Sequence, residues 1–150
     1  MKISEVMRPD DVLIDVSAAS KANLLQLMSN RGAQVLGADR SDIVGALEHR
    51  EKLGSTGFGA GIAIPHAPVE GVAAPFALLI RLARPIAFEA IDDRPVDVIC
   101  LILTPPGDQA EYLKLLSTIS RKLRSSETLK TIRSATDAGQ IYAAIAMCED

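Results

Sequence analysis

Val96 to Leu103, VDVICLIL, is the most apolar run in the chain, and it restricts the fold more than any other stretch. Pro95 precedes it and Thr104-Pro105-Pro106-Gly107 ends it, which leaves the length of one strand and too little for a helix. Only Asp97 breaks its apolar character, so both faces of this strand need cover, and a central position in a sheet between helical layers follows.

The other elements agree with that layout. Asp11 to Val16 and Phe76 to Leu82 (FALLIRL) read as strands. Ser20 is placed to cap a helix running to about Arg31, with Leu24, Leu25, Leu27 and Met28 as its apolar side and Gly32 as its stop. A second helix is expected from about Ser41 to Leu53, with Ile43, Leu47 and Arg50 on one stripe. Val69 to Ala74 reads as a loop. After Gly107, Asp108 and Glu111 have capping-box spacing for a helix bearing Tyr112, Leu115, Leu116, Ile119 and Leu123. Two shorter helices, near Ser126–Arg133 and Thr136–Met147, complete the chain. The expectation is one α/β domain over residues 1–150, with no repeat or linker.

Composition removes several function classes. A formal charge of −3 with dispersed Lys and Arg gives no basic patch for nucleic acid; Arg121-Lys122-x-Arg124 reads as a helix C-terminus. No stretch is long and apolar enough to cross a bilayer and no signal-peptide core is evident, so a cytoplasmic location is expected. Cys100 lies inside the apolar run as a small hydrophobe, and Cys148 near the end has no assigned role. Neither has metal-ligand spacing, and no metal site is expected.

Chemistry concentrates in Gly54 to Ala67, GSTGFGAGIAIPHA. Its glycines permit tight turns, Pro65 suits a strand end, and His66 is expected at the mouth of a strand on an open surface. The glycine spacing matches neither dinucleotide-binding nor P-loop patterns, and no nucleophile elbow is present. A histidine acting alone as a nucleophile is what remains, and phosphoryl transfer suits it. Arg50 can offer a guanidinium fork, and Ser55, Thr56 and backbone N–H groups can add donors. On residue types alone, a loop histidine beside a solvated helix-terminal arginine is the plainer reading.

The ordered string tips that balance. Glu51, six intervening residues, Phe58-Gly59, two more, then Ile62-Ala63-Ile64-Pro65-His66-Ala67 resembles the phosphohistidine signature of the mannitol/fructose-class EIIA components of the bacterial phosphoenolpyruvate-dependent phosphotransferase system (PTS). Arg50 through Ala67 is most similar to the nitrogen-regulatory branch, and the likeness extends over nearly the whole chain. The resemblance implies an EIIA mannitol-like fold, a mixed β-sheet flanked by helices. It makes His66 the phosphoryl acceptor, at Nε2, with Arg50 as the stabilising arginine and Ser55 and Thr56 as the polar pair. It implies an HPr-like or NPr-like carrier as donor, regulatory targets such as kinases or transporters, and no cofactor or metal on this subunit.

One position departs from the pattern. Many relatives carry a second active-site histidine where this chain has Tyr112, in Glu111-Tyr112-Leu113. A phenol can donate a hydrogen bond but carries no positive charge. Tyr112 is therefore either a supporting donor or a packing residue, and a regulatory module with weakened phosphotransfer stays open, as does a sugar-specific EIIA. Phe58, Ile62 and Phe88 form the candidate partner-docking set, with Phe88 also readable as a loop anchor. Asp92-Asp93 reads as a solvated turn that could meet a basic carrier. His49 is expected at the surface, turned about 100° from Arg50.

Overall fold

The computed structural model describes residues 1–107 and 109–147. A short helix α1 (Ile3–Val6) and a 3-10 turn lead into strand β1 (Val12–Val16). Two helices packed on each other follow, α2 (Lys21–Leu36) and α3 (Arg40–Lys52). Strands β2 (Gly57–Gly59), β3 (Ile62–Ala63) and β4 (His66–Pro68) are short; β5 (Phe76–Ile86) and β6 (Val96–Thr104) are long. Helices α4 (Gln109–Arg124), α5 (Ser126–Ser134) and α6 (Ala138–Tyr142) end in a π-helical turn, Ala143–Met147.

The sheet runs β1-β5-β6-β3-β2, with β4 also on β6. It is mixed: β1 lies parallel to β5, β3 and β4 parallel to β6, and the β5–β6 and β2–β3 pairs are antiparallel. Strand β6 is central, and the period of two divides its side chains between two cores. Ile99, Leu101 and Leu103 pack under α2 and α3 with Leu24, Met28, Ile43 and Leu47. Val98, Cys100 and Ile102 face α4 to α6, with Leu115, Ile119, Leu123, Ile132 and Ile141. Burying both faces of one strand is what makes the chain a three-layer sandwich.

Three boundaries differ from the sequence expectation. Helix α2 passes through Gly32 and ends at Gly37, whose φ of 69° and N–H bond to Ala33 O make the left-handed cap. Gly32 instead lets α2 lie close on the sheet, since a Cβ there would stand 3.0 Å from Leu103 Cδ1. Strand β5 continues past Leu82 to Ile86; Pro85 is tolerated because the β5–β6 register breaks between Arg81 and Ile86. The expected capping residue Asp108 lies outside the described residues, as does Cys148.

The third difference positions the chemistry. Strands β3 and β4 keep one register along β6, Ile62 opposite Val98 and His66 opposite Ile102, so they are one strand interrupted at Ile64-Pro65. Pro65 has no N–H to give the ladder, though its carbonyl still accepts from Ile102 N at 2.9 Å. His66 is therefore not a strand end: the strand resumes at His66 and runs to Pro68.

Candidate functional site

Alternation along the interrupted strand decides where His66 points. Ala67 packs into the α2–α3 core while Ile64 belongs to the opposite one, so His66 shares the face covered by α4. The ring is half-buried between two cavities. One, of about 50 Å³, is shared with Ile102, Thr104, Tyr112 and Leu116. The other, of about 200 Å³, is shared with Arg50, Phe58, Leu116, Ser120 and Arg124.

The interrupted strand also fixes the tautomer. His66 Nδ1 lies 2.7 Å from Ile64 O. A carbonyl only accepts, so Nδ1 carries the hydrogen and Nε2 keeps its lone pair. Burial holds the imidazole below its ordinary value of 6.5; the bond to Ile64 opposes this, Arg50 adds to the lowering, and Glu51 opposes it. Both effects leave a neutral ring with a free Nε2 near pH 7.

Arg50 arrives from the last turn of α3, as the Ile43–Leu47–Arg50 stripe requires. Its Nη1 donates to Gly54 O at 2.9 Å, which ties the helix end to the glycine run and leaves the rest of the fork toward the larger cavity. Glu51 is the residue that sequence reasoning left without a role. Its side chain is only 6% exposed; it accepts from Thr56 N at 3.2 Å and Thr56 Oγ1 at 2.5 Å, and pairs with Lys21 Nζ at 2.8 Å. Lys21 in turn sits 4.6 Å over the Phe88 ring. This Lys21–Glu51–Thr56 chain clamps the start of the glycine run to α2 and α3.

That clamp corrects the reading of Ser55 and Thr56. Thr56 spends its hydroxyl hydrogen on Glu51, and Ser55 donates to Phe88 O at 2.8 Å while accepting from Gly57 N. Both shape the loop from the cavity wall instead of offering a hydroxyl donor to a ligand. The N–H groups of Gly54, Thr56, Gly57 and Ala60 are likewise satisfied within the protein. A loop that must hold its shape without a ligand uses its own donors to do so.

The docking set changes as well. Ile62 and Phe88 are 0% exposed, so neither side chain can meet a partner; Phe88 is the loop anchor. Phe58 is half-buried against the α4–α6 core, with the Arg124 guanidinium 4.9 Å from its ring centroid. Tyr112 borders the smaller cavity with His66, and its ring is half-buried. His49 is exposed on α3. Asp92 accepts from Ala60 N and Arg94 N at 3.1 Å, and so braces the β2–β3 turn. These two bonds, Arg94's first, hold its carboxyl below the usual range.

Sequence reasoning placed Arg124 only at a helix end. The signal that finds it is spacing: Tyr112, Leu116, Ser120 and Arg124 recur every fourth residue along α4. This ridge spans about 18 Å at 1.5 Å per residue and lines both cavities beside His66. Among the described residues, no group of three or more His, Cys, Asp or Glu could hold a metal ion, and no helix is long and apolar enough to cross a membrane.

Fold and site together define a class: a mixed-sheet domain presenting a neutral, oriented histidine beside arginine, suited to carry a group covalently. The family described as phosphoenolpyruvate-dependent sugar phosphotransferase system, EIIA 2, matches residues 5–148, and the chain belongs to it. The nitrogen regulatory protein of Bradyrhizobium diazoefficiens is 37% identical over 98% of this chain and 96% of its own length. The crystal structure of nitrogen regulatory protein IIA-Ntr from Neisseria meningitidis superposes with a TM-score of 0.91 at 29% identity, covering 96% of this chain and 99% of that one. Enzyme IIAMTL of Escherichia coli, solved in complex with phosphorylated enzyme IIBMTL, shares the fold with a TM-score of 0.79 at 15% identity, over 93% of this chain and 98% of that one.

Proposed function

We propose that this EIIA phosphocarrier accepts its phosphoryl group on His66 Nε2 from the phosphohistidine of an HPr-like or NPr-like carrier, and that its output is regulatory. The observation that carries the reading is the 2.7 Å contact from Nδ1 to Ile64 O, which leaves Nε2 as the free nucleophile. In the transfer, the Nε2 lone pair forms the new N–P bond while the donor's N–P bond breaks toward the donor ring. The donor ring enters protonated on its other nitrogen and leaves as neutral imidazole, while phospho-His66 keeps its Nδ1 hydrogen on Ile64 O, so charge and protons balance. Arg50 lies where it can meet the phosphoryl oxygens, and such transfers need little beyond positioning and charge. The added charge of about −1.5 to −2 on the protein surface is the switch that targets, such as kinases or transporters, would read. The name shared by the bacterial relatives supports regulation over sugar uptake.

The test is incubation with phosphoenolpyruvate, enzyme I and an HPr-type carrier, read by intact mass. Wild type gains one acid-labile phosphate, and His66→Ala gains none. Tyr112→Phe separates the two readings of the phenol: slowed transfer assigns it a donor role, and unchanged transfer assigns it packing. No gain in wild type with any of several competent carriers would leave a pure interaction module in place of the phosphocarrier.

A further inference from the structure

We infer that Arg124, at the far end of the α4 ridge, is a second phosphoryl-binding cation of the His66 site, held ready by the Phe58 ring. The inference deepens the phosphocarrier reading and rests on it. A bound phosphoryl group brings about −1.5 to −2 charges, and Arg50 supplies one positive charge with one N–H already given to Gly54 O. Tyr112 supplies none, and the Ser55 and Thr56 hydroxyl hydrogens are engaged elsewhere. The shared cavity of about 200 Å³ holds His66, Arg50 and Arg124, several times the roughly 30 Å³ that one water occupies in the liquid.

Arg124 is suited to this role by what it does not do. The one contact recorded for its guanidinium among the described residues is with the Phe58 ring, 4.9 Å from the centroid. A guanidinium stacked on an aromatic face keeps its N–H edge free for an oxyanion while the side chain loses its freedom in advance. Phe58 thus acts through Arg124, and this explains an aromatic residue set among glycines better than direct docking does. Ser120, one turn before Arg124 on the same ridge, adds a hydroxyl to the same cavity.

The experiment phosphorylates His66 with phosphoramidate, a small donor that loses ammonia and needs no carrier. The phosphohistidine is then followed by ³¹P NMR from pH 5 to 9, and carrier-dependent transfer is measured in parallel. Loss of a neighbouring cation raises the midpoint at which the phosphohistidine takes up a proton; Arg124→Gln raises it by about half a pH unit. Arg124→Lys restores most of the wild-type midpoint, and Phe58→Leu gives a smaller rise. The equilibrium with the carrier moves toward the donor by a few-fold in Arg124→Gln, with circular dichroism unchanged. A wild-type midpoint in Arg124→Gln overturns the inference even if wild type takes phosphate from the carrier. Loss of carrier-dependent transfer with a wild-type midpoint also overturns it, since Arg124 would then meet the carrier and not the phosphoryl group. Phosphoramidate labelling of a wild type that ignores every carrier, with the midpoint raised in Arg124→Gln, sinks the relay and keeps Arg124.

Discussion

His66 and Cys100 are two nucleophilic side chains on neighbouring strands, turned to the same face of one sheet, and burial acts on them in opposite senses. Cys100 is fully buried, and burial pushes its thiol up to about 12. His66 is half-buried, and burial pushes its imidazole down. Removing water disfavours the charged form of each. For a thiol the charged form is the nucleophile, so burial silences it; for an imidazole the neutral form is the nucleophile, so the same burial arms it. The strand interruption at Ile64-Pro65 makes up the rest of the difference, since it supplies the carbonyl that orients His66, whereas β6 is unbroken around Cys100. An apolar sheet can host histidine chemistry because desolvation favours the reactive form.

The comparison breaks most visibly if the two thiol environments are made to compete. In a Cys148→Ser background, Cys100 should react with a disulfide reagent about 1000-fold more slowly than a free thiol on thiolate fraction alone, given its rise from 9.0 to about 12. A His66→Cys variant in that background should add a thiol that reacts faster than Cys100, because position 66 is only half-buried and borders the cavity shared with Arg50. Equal rates at both positions would show that burial is not what separates them.

Cys100→Ser should cost about 1–3 kcal/mol, read by urea unfolding, because it buries a hydroxyl in an apolar strand. Its phosphate acceptance should match wild type while it remains folded. A loss of acceptance at full folding would tie the thiol to the chemistry.

The lowered proton affinity of His66 makes stability depend on pH. The folded ring binds its proton less readily than the unfolded one at 6.5, so between the lowered folded value and 6.5 the unfolded state holds more protons. Stability from this group therefore rises with pH through that window, is fully present above 6.5, and is lost as pH falls back through the window to the lowered folded value. Phosphate acceptance from phosphoramidate should show its acidic inflection below 6.5, tracked by the His66 ring signals in NMR. An inflection at or above 6.5 would contradict the neutral, desolvated ring.

The smallest effect is a control at a turn that lines neither cavity beside His66. The β2–β3 hairpin turns on Ala60 and Gly61, with φ of 57° and 79°, a pair of left-handed residues. Gly61 belongs there, since a Cβ would stand 2.5 Å from Arg133 Nη2, which donates to Ala60 O. Ala60 does not, and Ala60→Asn should stabilise by roughly 0.5–1 kcal/mol in thermal unfolding with acceptance by His66 unchanged.

Much of this molecule was written locally. The apolar run at β6, the 3.6-residue stripes of α2 to α4, the Ser20 cap and the motif around His66 all depend on neighbours within a few residues, so periodicity and side-chain chemistry were enough to place them. The site's detail was not local. Whether Ser55 and Thr56 keep a hydrogen for a ligand depended on Phe88 and on the Glu51–Lys21 pair, which only the folded chain brings to them. Gly32 is read as a helix stop in the sequence, yet it is a close-packing point against Leu103, a residue far along the chain. Arg124 is an ordinary helix-terminal cation until Phe58 and His66 share its cavity. Short-range geometry determined which elements form and which residue is the candidate nucleophile; the long-range contacts of the sheet decided which donors and charges stand beside it, because a hydrogen bond or an ion pair has no sequence period.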